Sequence, residues 1–191
     1  MLNDEKVLGF SVNYEMIGIK LRVAEQSDEL KAEWLAQLIN QVYKVSEGNI
    51  WVDDYQRTSK EQLFELIRTN QLLLAIHQHK IIGCVWVEKV NNTTYKFKML
   101  VTDPEYKGKG VGTLLVSYAE EEAIRRGAYK MQLELLVPTE FEHPDKIFLT
   151  QWYTRIGYQK VAEHEVDYVH QGISRYLKTG CVAQVFEKQL V

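Results

Sequence analysis

The chain has 191 residues, 46% of them hydrophobic, and a formal net charge of −3. That suits one domain with a buried core, and so mild a charge gives no bulk attraction to nucleic acid or anionic membrane. Two distant cysteines, Cys84 and Cys181, argue against a disulfide framework or a zinc site; with no membrane-span run and no signal-peptide pattern at the start, a cytoplasmic setting is expected.

In chain order, "GIKLRVAEQSD" alternates and then turns polar, a first strand ending near Ala24. From Asp28 the period lengthens. Leu35, Leu38, Ile39 and Val42 share one helical face, with Ser27 or Asp28 as N-cap. "SEGNIWVDDYQR" reads as a loop. Thr58 and Glu61 have capping-box spacing before a second helix that buries Leu63, Leu66 and Ile67. "QLLLAIHQHKIIGCVWVEKV" gives two apolar strands around a polar turn at His77 to Lys80. "TTYKFKMLV" is a half-exposed strand, with Tyr95, Phe97 and Met99 on one face and Lys96 and Lys98 on the other. Three such strands on short turns predict an antiparallel meander.

After the glycines of "EYKGKGVGTLL", Leu114, Leu115, Tyr118 and Ala119 line a helix closed by Arg125, Arg126 and Gly127. "KMQLELLV" follows as a strand, completing a parallel crossover. "DKIFLTQWYTRIG" is a further helix, and "YQKVAEHEV" and "CVAQVFEKQL" are late strands. The expectation is an α+β fold of one domain over residues 1–191, with its core at about 17–188. Its mixed sheet combines an antiparallel meander with one parallel β-α-β joint, flanked by helices.

The glycine loop precedes a helix, where unpaired backbone N–H groups and the helix dipole favour an anion. Lys107 and Lys109 add charge, and glycines let a phosphate approach closely. The plainer alternative is a solvated β–α turn. A Rossmann turn fits poorly, because the third position of G-x-G-x-x-G falls on Thr113. "KGKGVG" resembles the Q/R-x-x-G-x-G/A motif of the GNAT superfamily of acyl-CoA-dependent N-acetyltransferases. Lys107 stands at the Gln/Arg position, with Gly110 and Gly112 at the small ones. Gly108 falls at a variable position and serves the bend. "WYTRIGYQKV" resembles the family's later motif, and the element order agrees.

The resemblance implies a bulged strand that splays from its parallel neighbour, leaving a gap for the pantetheine arm of acetyl-CoA. Met99 and Val101 would contact that arm through the main chain, as in strand addition. An N–H near Leu100 would face the thioester oxygen. The pyrophosphate would rest on the amides of Gly108, Lys109, Gly110, Val111, Gly112 and Thr113. Tyr153 matches the tyrosine that protonates the leaving thiolate; the alternative is a core aromatic with a surface hydroxyl. Glu134, on the strand after the loop, is the first candidate for general base, acting directly or through water, with Glu88 behind it. The family often has Asn seven residues before the catalytic tyrosine; here Lys146 stands there, meeting the cofactor or lying exposed.

The implied acceptor is a primary amine on a small molecule or peptide, without nucleic acid, membrane or metal, and late strands in this family often pair across homodimers. Trp51, Asp53, Asp54 and Tyr55 lie where part of the acceptor site is expected and would suit a cationic amine, unless they form only a surface loop. His77 and His79 are expected to be solvated, and His143, His164 and His170 have no metal-ligand spacing. Two other readings remain: a non-catalytic acyl-CoA-binding module on the same fold, and a nucleotide-cofactor oxidoreductase.

Overall fold

A computed structural model describes residues 18–190. The expected start of the core at about residue 17 and the reading of the first residues lie outside this range. The strands are β1 (Ile19–Val23), β2 (Leu72–His77), β3 (Lys80–Lys89), β4 (Thr94–Thr102), β5 (Lys130–Pro138), β6 (Gln159–Glu165) and β7 (Cys181–Gln189). The helices are α1 (Ala32–Glu47), α2 (Lys60–Arg68), α3 (Val111–Arg125), α4 (Pro144–Arg155) and the single turn α5 (Val166–Val169). One sheet orders the strands β1-β2-β3-β4-β5-β7-β6. All neighbours are antiparallel except β4 and β5. The fold is α+β with a mixed sheet, as expected.

The sheet separates two apolar layers. One packs α1 and α2 against Leu72, Leu74, Cys84, Met99 and Val101. The other packs α3 and Tyr153 of α4 against Leu73, Val85, Phe97, Met131, Leu133 and Phe186. The alternation along β2, with Leu73 on one side and its neighbours on the other, is the period-2 geometry of a strand buried on both faces. The hairpin from β2 to β3 turns through Gln78 and His79, at φ +48° and +66°. Two positive values are what a tight hairpin turn demands.

Three local expectations shift. α1 begins at Ala32, after a 3-10 turn over Gln26–Lys31. Asp28 does not cap it. Its carboxylate instead pairs with Arg22 at 2.6 Å and accepts from the Glu25 N–H. The N-cap of α2 is Ser59, which accepts from the Gln62 N–H, while the buried Thr58 hydroxyl bonds the Gln62 side chain. Met99 is buried as expected, but on the opposite face from Tyr95 and Phe97. The reason is a bulge. Between Cys84↔Val101 and Trp86↔Lys98, β3 advances two residues and β4 three. Met99 takes the extra step at φ +52°, and one inserted residue inverts the faces of all that follow.

Candidate active site

The bulge also parts two strands. β4 and β5 pair only from Thr94↔Lys130 to Lys96↔Gln132, at their N-terminal ends. Beyond Lys96 they diverge, while β5 stays paired with β7 along its whole length on its other edge. Met99, Leu100 and Val101 therefore lie where β4 has lost its β5 partner, the gap that the motif implied. A cavity of about 410 Å³ opens here, lined among others by Met99, Leu100, Glu134 and Tyr153.

The glycine loop lies just beyond the end of β4. Gly108 and Gly110 hold φ +78° and +81°, a region costly for other residues. A Cβ at either would meet nothing within 4 Å, so the space in front of the loop is open. Gly110 caps α3 without a side chain to accept from its first turn. Leu114 N–H is the first to bond back, to the Gly110 carbonyl at 3.1 Å. The amides of Val111, Gly112 and Thr113 precede it at the positive end of the helix dipole. Lys107 and Lys109 are exposed beside them, Lys109 over the Tyr106 ring at 4.8 Å. Gly108 serves the bend through a backbone in the region that favours glycine. Gly112 is less constrained, for its Cβ would make an ordinary 3.8 Å contact with Trp152.

Tyr153 sits in α4 among aromatic rings, with centroids of Trp152 at 4.9 Å, Phe97 at 5.9 Å and Tyr158 at 6.0 Å. It is buried yet lines the cavity. Burial, reinforced by the negative charge of nearby Glu47, pushes its hydroxyl well above the ordinary 10. Burial thus favours the neutral phenol, the form that can donate.

Glu134 faces the cavity from β5. Lys96 donates to it at 2.8 Å and His170 lies 2.7 Å from its other oxygen. Burial works to raise its carboxyl, but these partners outweigh it and hold it at about 2. A carboxylate so acidic is a weak proton acceptor at neutral pH. Glu88, the second candidate, is tied to Lys98 at 2.6 Å and Lys96 at 3.5 Å. His170, which also lines the cavity, had no signal in sequence: it follows α5, far along the chain from Glu134.

Lys146 is neither exposed nor directed at the phosphate cradle. It is buried and donates to Glu47 across the cavity wall. The other Glu47 oxygen accepts from the Trp51 indole at 2.6 Å. Burial opposes ionisation of Glu47, but Lys146 and Arg57 together keep its carboxyl below the usual range. Trp51 stacks on Tyr55 at 4.2 Å, and Arg57 lies 4.8 Å from the Tyr43 ring. Trp51 and Tyr55 thus join the cavity as expected, but Asp53 does not: it is exposed and bound to Lys178 at 2.5 Å. Asp54 is exposed as well. One signal pointed to Glu47 and Tyr43. They continue the four-residue spacing of Leu35 and Ile39 along α1, so polar groups fall on an apolar stripe.

His77 is not simply solvated, since its ring nitrogen lies 3.0 Å from the Tyr106 hydroxyl. Among the described residues no cluster of His, Cys, Asp and Glu could hold a metal, and no helix is long and apolar enough to cross a membrane.

Residues 68–160 match the acetyltransferase (GNAT) domain family. An S-alkylcysteine N-acetyltransferase from Bacillus subtilis is 28% identical over 117 residues, which cover 58% of this chain. The match spans 64% of that relative's length. An N-acetyltransferase from Thermoplasma acidophilum, solved with coenzyme A, superposes with a TM-score of 0.66 at 18% identity, covering 90% of this chain and 98% of the other. An aminoglycoside 6'-N-acetyltransferase from Enterococcus faecium also gives 0.66, at 15% identity and coverages of 90% and 97%. At such identities the structural likeness is one of fold.

Proposed function

We propose, on the premise of the GNAT acetyltransferase domain match over residues 68–160, that this chain moves an acetyl group from acetyl-CoA to a primary amine. The observation that carries this reading is the alignment of two features on one strand. The bulge at Met99 leaves β4 without its β5 partner, and beyond the end of that strand α3 presents amides that are unpaired among the described residues, over open space. An extended thiol arm that ends in a pyrophosphate suits both. The S-alkylcysteine N-acetyltransferase relative supports the same chemistry.

On this reading Met99 and Val101 contact the pantetheine arm through their main chain, and an N–H near Leu100 faces the thioester oxygen. The amides from Gly108 to Thr113, with Lys107 and Lys109 beside them, hold the pyrophosphate. The amine nitrogen attacks the thioester carbon, the C–S bond breaks and an amide forms, and the proton the nitrogen sheds passes in the end to solvent, which restores the one the sulfur takes up from the acid. Tyr153 donates to the sulfur as it leaves. The ammonium proton must depart beforehand. Glu134 is held too acidic to take it, and its place beside His170 suits it instead to orient that ring. The imidazole lines the cavity and can take the proton directly or through water. His170→Asn should therefore lower kcat/KM by about 10²-fold. An unchanged rate would leave the proton to solvent alone.

The reading as a whole is tested by free thiol released from acetyl-CoA with a panel of amines, S-alkylcysteines included. Thermal stabilisation by CoA but not by NAD is expected beforehand. Stabilisation by NAD alone would favour an oxidoreductase. Stabilisation by CoA without turnover of any amine would favour a binding module.

A further inference from the structure

The charged groups lining the cavity differ in what they already hold. Glu47 is engaged at both oxygens, by Lys146 and by Trp51. Glu134 is likewise engaged by Lys96 and His170. Lys98 belongs to Glu88. Arg57 alone among these lining charges forms no ion pair within the described residues. Its guanidinium lies between aromatic faces, 4.8 Å from the Tyr43 centroid and 5.7 Å from that of Trp51. The hydroxyls of Tyr43 and Tyr55 are its polar neighbours, and Glu47 acts on it only through space.

A guanidinium offers five N–H donors in a rigid fork, and among the described residues two phenols leave most of them free. A second, adjoining cavity of about 180 Å³ shares Arg57, Tyr43, Trp51 and Tyr55 as a common wall. The first cavity is lined by the carboxylates Glu47 and Glu134 and the cations Arg57, Lys98 and Lys146, the second by Glu47 and Asp53 with Arg57 and Lys44. A polycationic acceptor would find each of these carboxylates already paired, Glu47 by Lys146, Glu134 by Lys96 and Asp53 by Lys178, and a positive charge on Arg57 that no ion pair among the described residues offsets. A carboxylate would find a fork of the matching shape, already partly desolvated.

We propose that the acceptor amine carries a carboxylate, held by Arg57, and an apolar or aromatic group that packs on the Trp51–Tyr55 wall: an amino-acid-like acceptor. This rests on the acetyl-transfer reading above and names its substrate class.

The test uses matched series built on glycine, leucine, phenylalanine and 6-aminohexanoate. Each free acid is compared with its amide and its decarboxylated amine for thiol release from acetyl-CoA. The acids of at least one apolar series should exceed both neutral partners in kcat/KM by 10-fold or more, on the order expected for a desolvated charged hydrogen bond. Arg57→Gln should raise KM for the acid by about 10²-fold and erase the preference, and Arg57→Lys should restore part of it. A retained thermal shift with CoA would show that each variant still folds. A readout independent of turnover is stabilisation of the CoA-bound protein by N-acetyl-L-phenylalanine against neutral N-acetylphenethylamine; the acid alone should stabilise wild type, and neither should stabilise Arg57→Gln. Neutral amines turned over as well as acids, in the same ratio in Arg57→Gln, would overturn the proposal and leave acetyl transfer standing. If no amine releases thiol, the transfer reading fails, and the binding comparison alone decides for or against Arg57.

Discussion

Tyr153→Phe should lower kcat by about 10²-fold while CoA affinity stays within about twofold of wild type. The substitution removes one oxygen and keeps the ring that packs against Trp152, Phe97 and Tyr158, so the surrounding core loses little. What is lost is a proton donor at the departing sulfur. Burial makes the phenolate costly here, and Tyr153 should therefore share its proton with the thiolate rather than surrender it ahead of bond cleavage. A second expectation follows from the same cause. The wild-type kcat profile should show no descending limb from this group at pH 10, where an ordinary phenol would be half ionised. A kcat within about twofold of wild type in the Phe variant would remove Tyr153 as the acid and leave it as a core aromatic.

Gly110→Glu should reduce CoA affinity by more than about 10²-fold. The new side chain would enter open space, since no atom lies within 4 Å of the Cβ position. Its cost to folding is mainly the positive φ of +81°, on the order of 1–2 kcal/mol. In a chain of this size that is a fall in melting temperature of several degrees, roughly 2–4 °C per kcal/mol, without unfolding. The carboxylate would then occupy the positive end of α3, where the amides of Val111 to Thr113 await an acceptor, and would repel a pyrophosphate. Gly110→Ala carries the same backbone strain without the charge and should lose far less affinity. Isothermal titration with CoA on both variants separates the two effects. Equal affinity of Gly110→Glu and wild type would mean that the phosphates bind elsewhere.

Element order and sheet class were legible because they rest on period and turn chemistry alone. Leu63, Leu66 and Ile67 repeat as a helix repeats, and Tyr95 and Phe97 as a strand does, whatever they later touch. The N-terminal ends of the helices were less legible. Asp28 has the right chemistry to cap α1, but Arg22, six residues earlier, claims its carboxylate across the turn. Thr58 and Ser59 are adjacent and both able to cap, and burial of the first leaves the cap to the second. For the site, the cradle is local in sequence and could be read, whereas the walls of the acceptor cavity could not. Glu47, Arg57 and Lys146 come from α1, the loop after it and α4, and only packing brings them together. The same separation kept His170 from view as the neighbour of Glu134. The two groups meet through a segment between β6 and β7 whose pattern carries no hint of where it folds back.

The extra residue at Met99 works as a change of phase in the strand. Upstream of it Tyr95 and Phe97 belong to the α3 layer; downstream, Met99 and Val101 belong to the α1–α2 layer. If β4 were to straighten and zip onto β5, closing the gap, Val101 would have to leave its apolar layer for the other side of the sheet, and the alternation beyond it would fail. The opening is thus guarded by oil rather than by any contact inside it. A chain built this way can vary the residues that touch its substrates without risk of the cleft healing shut. It is the deletion of one residue from β4, at or beside Met99, that the fold could not absorb while keeping the gap.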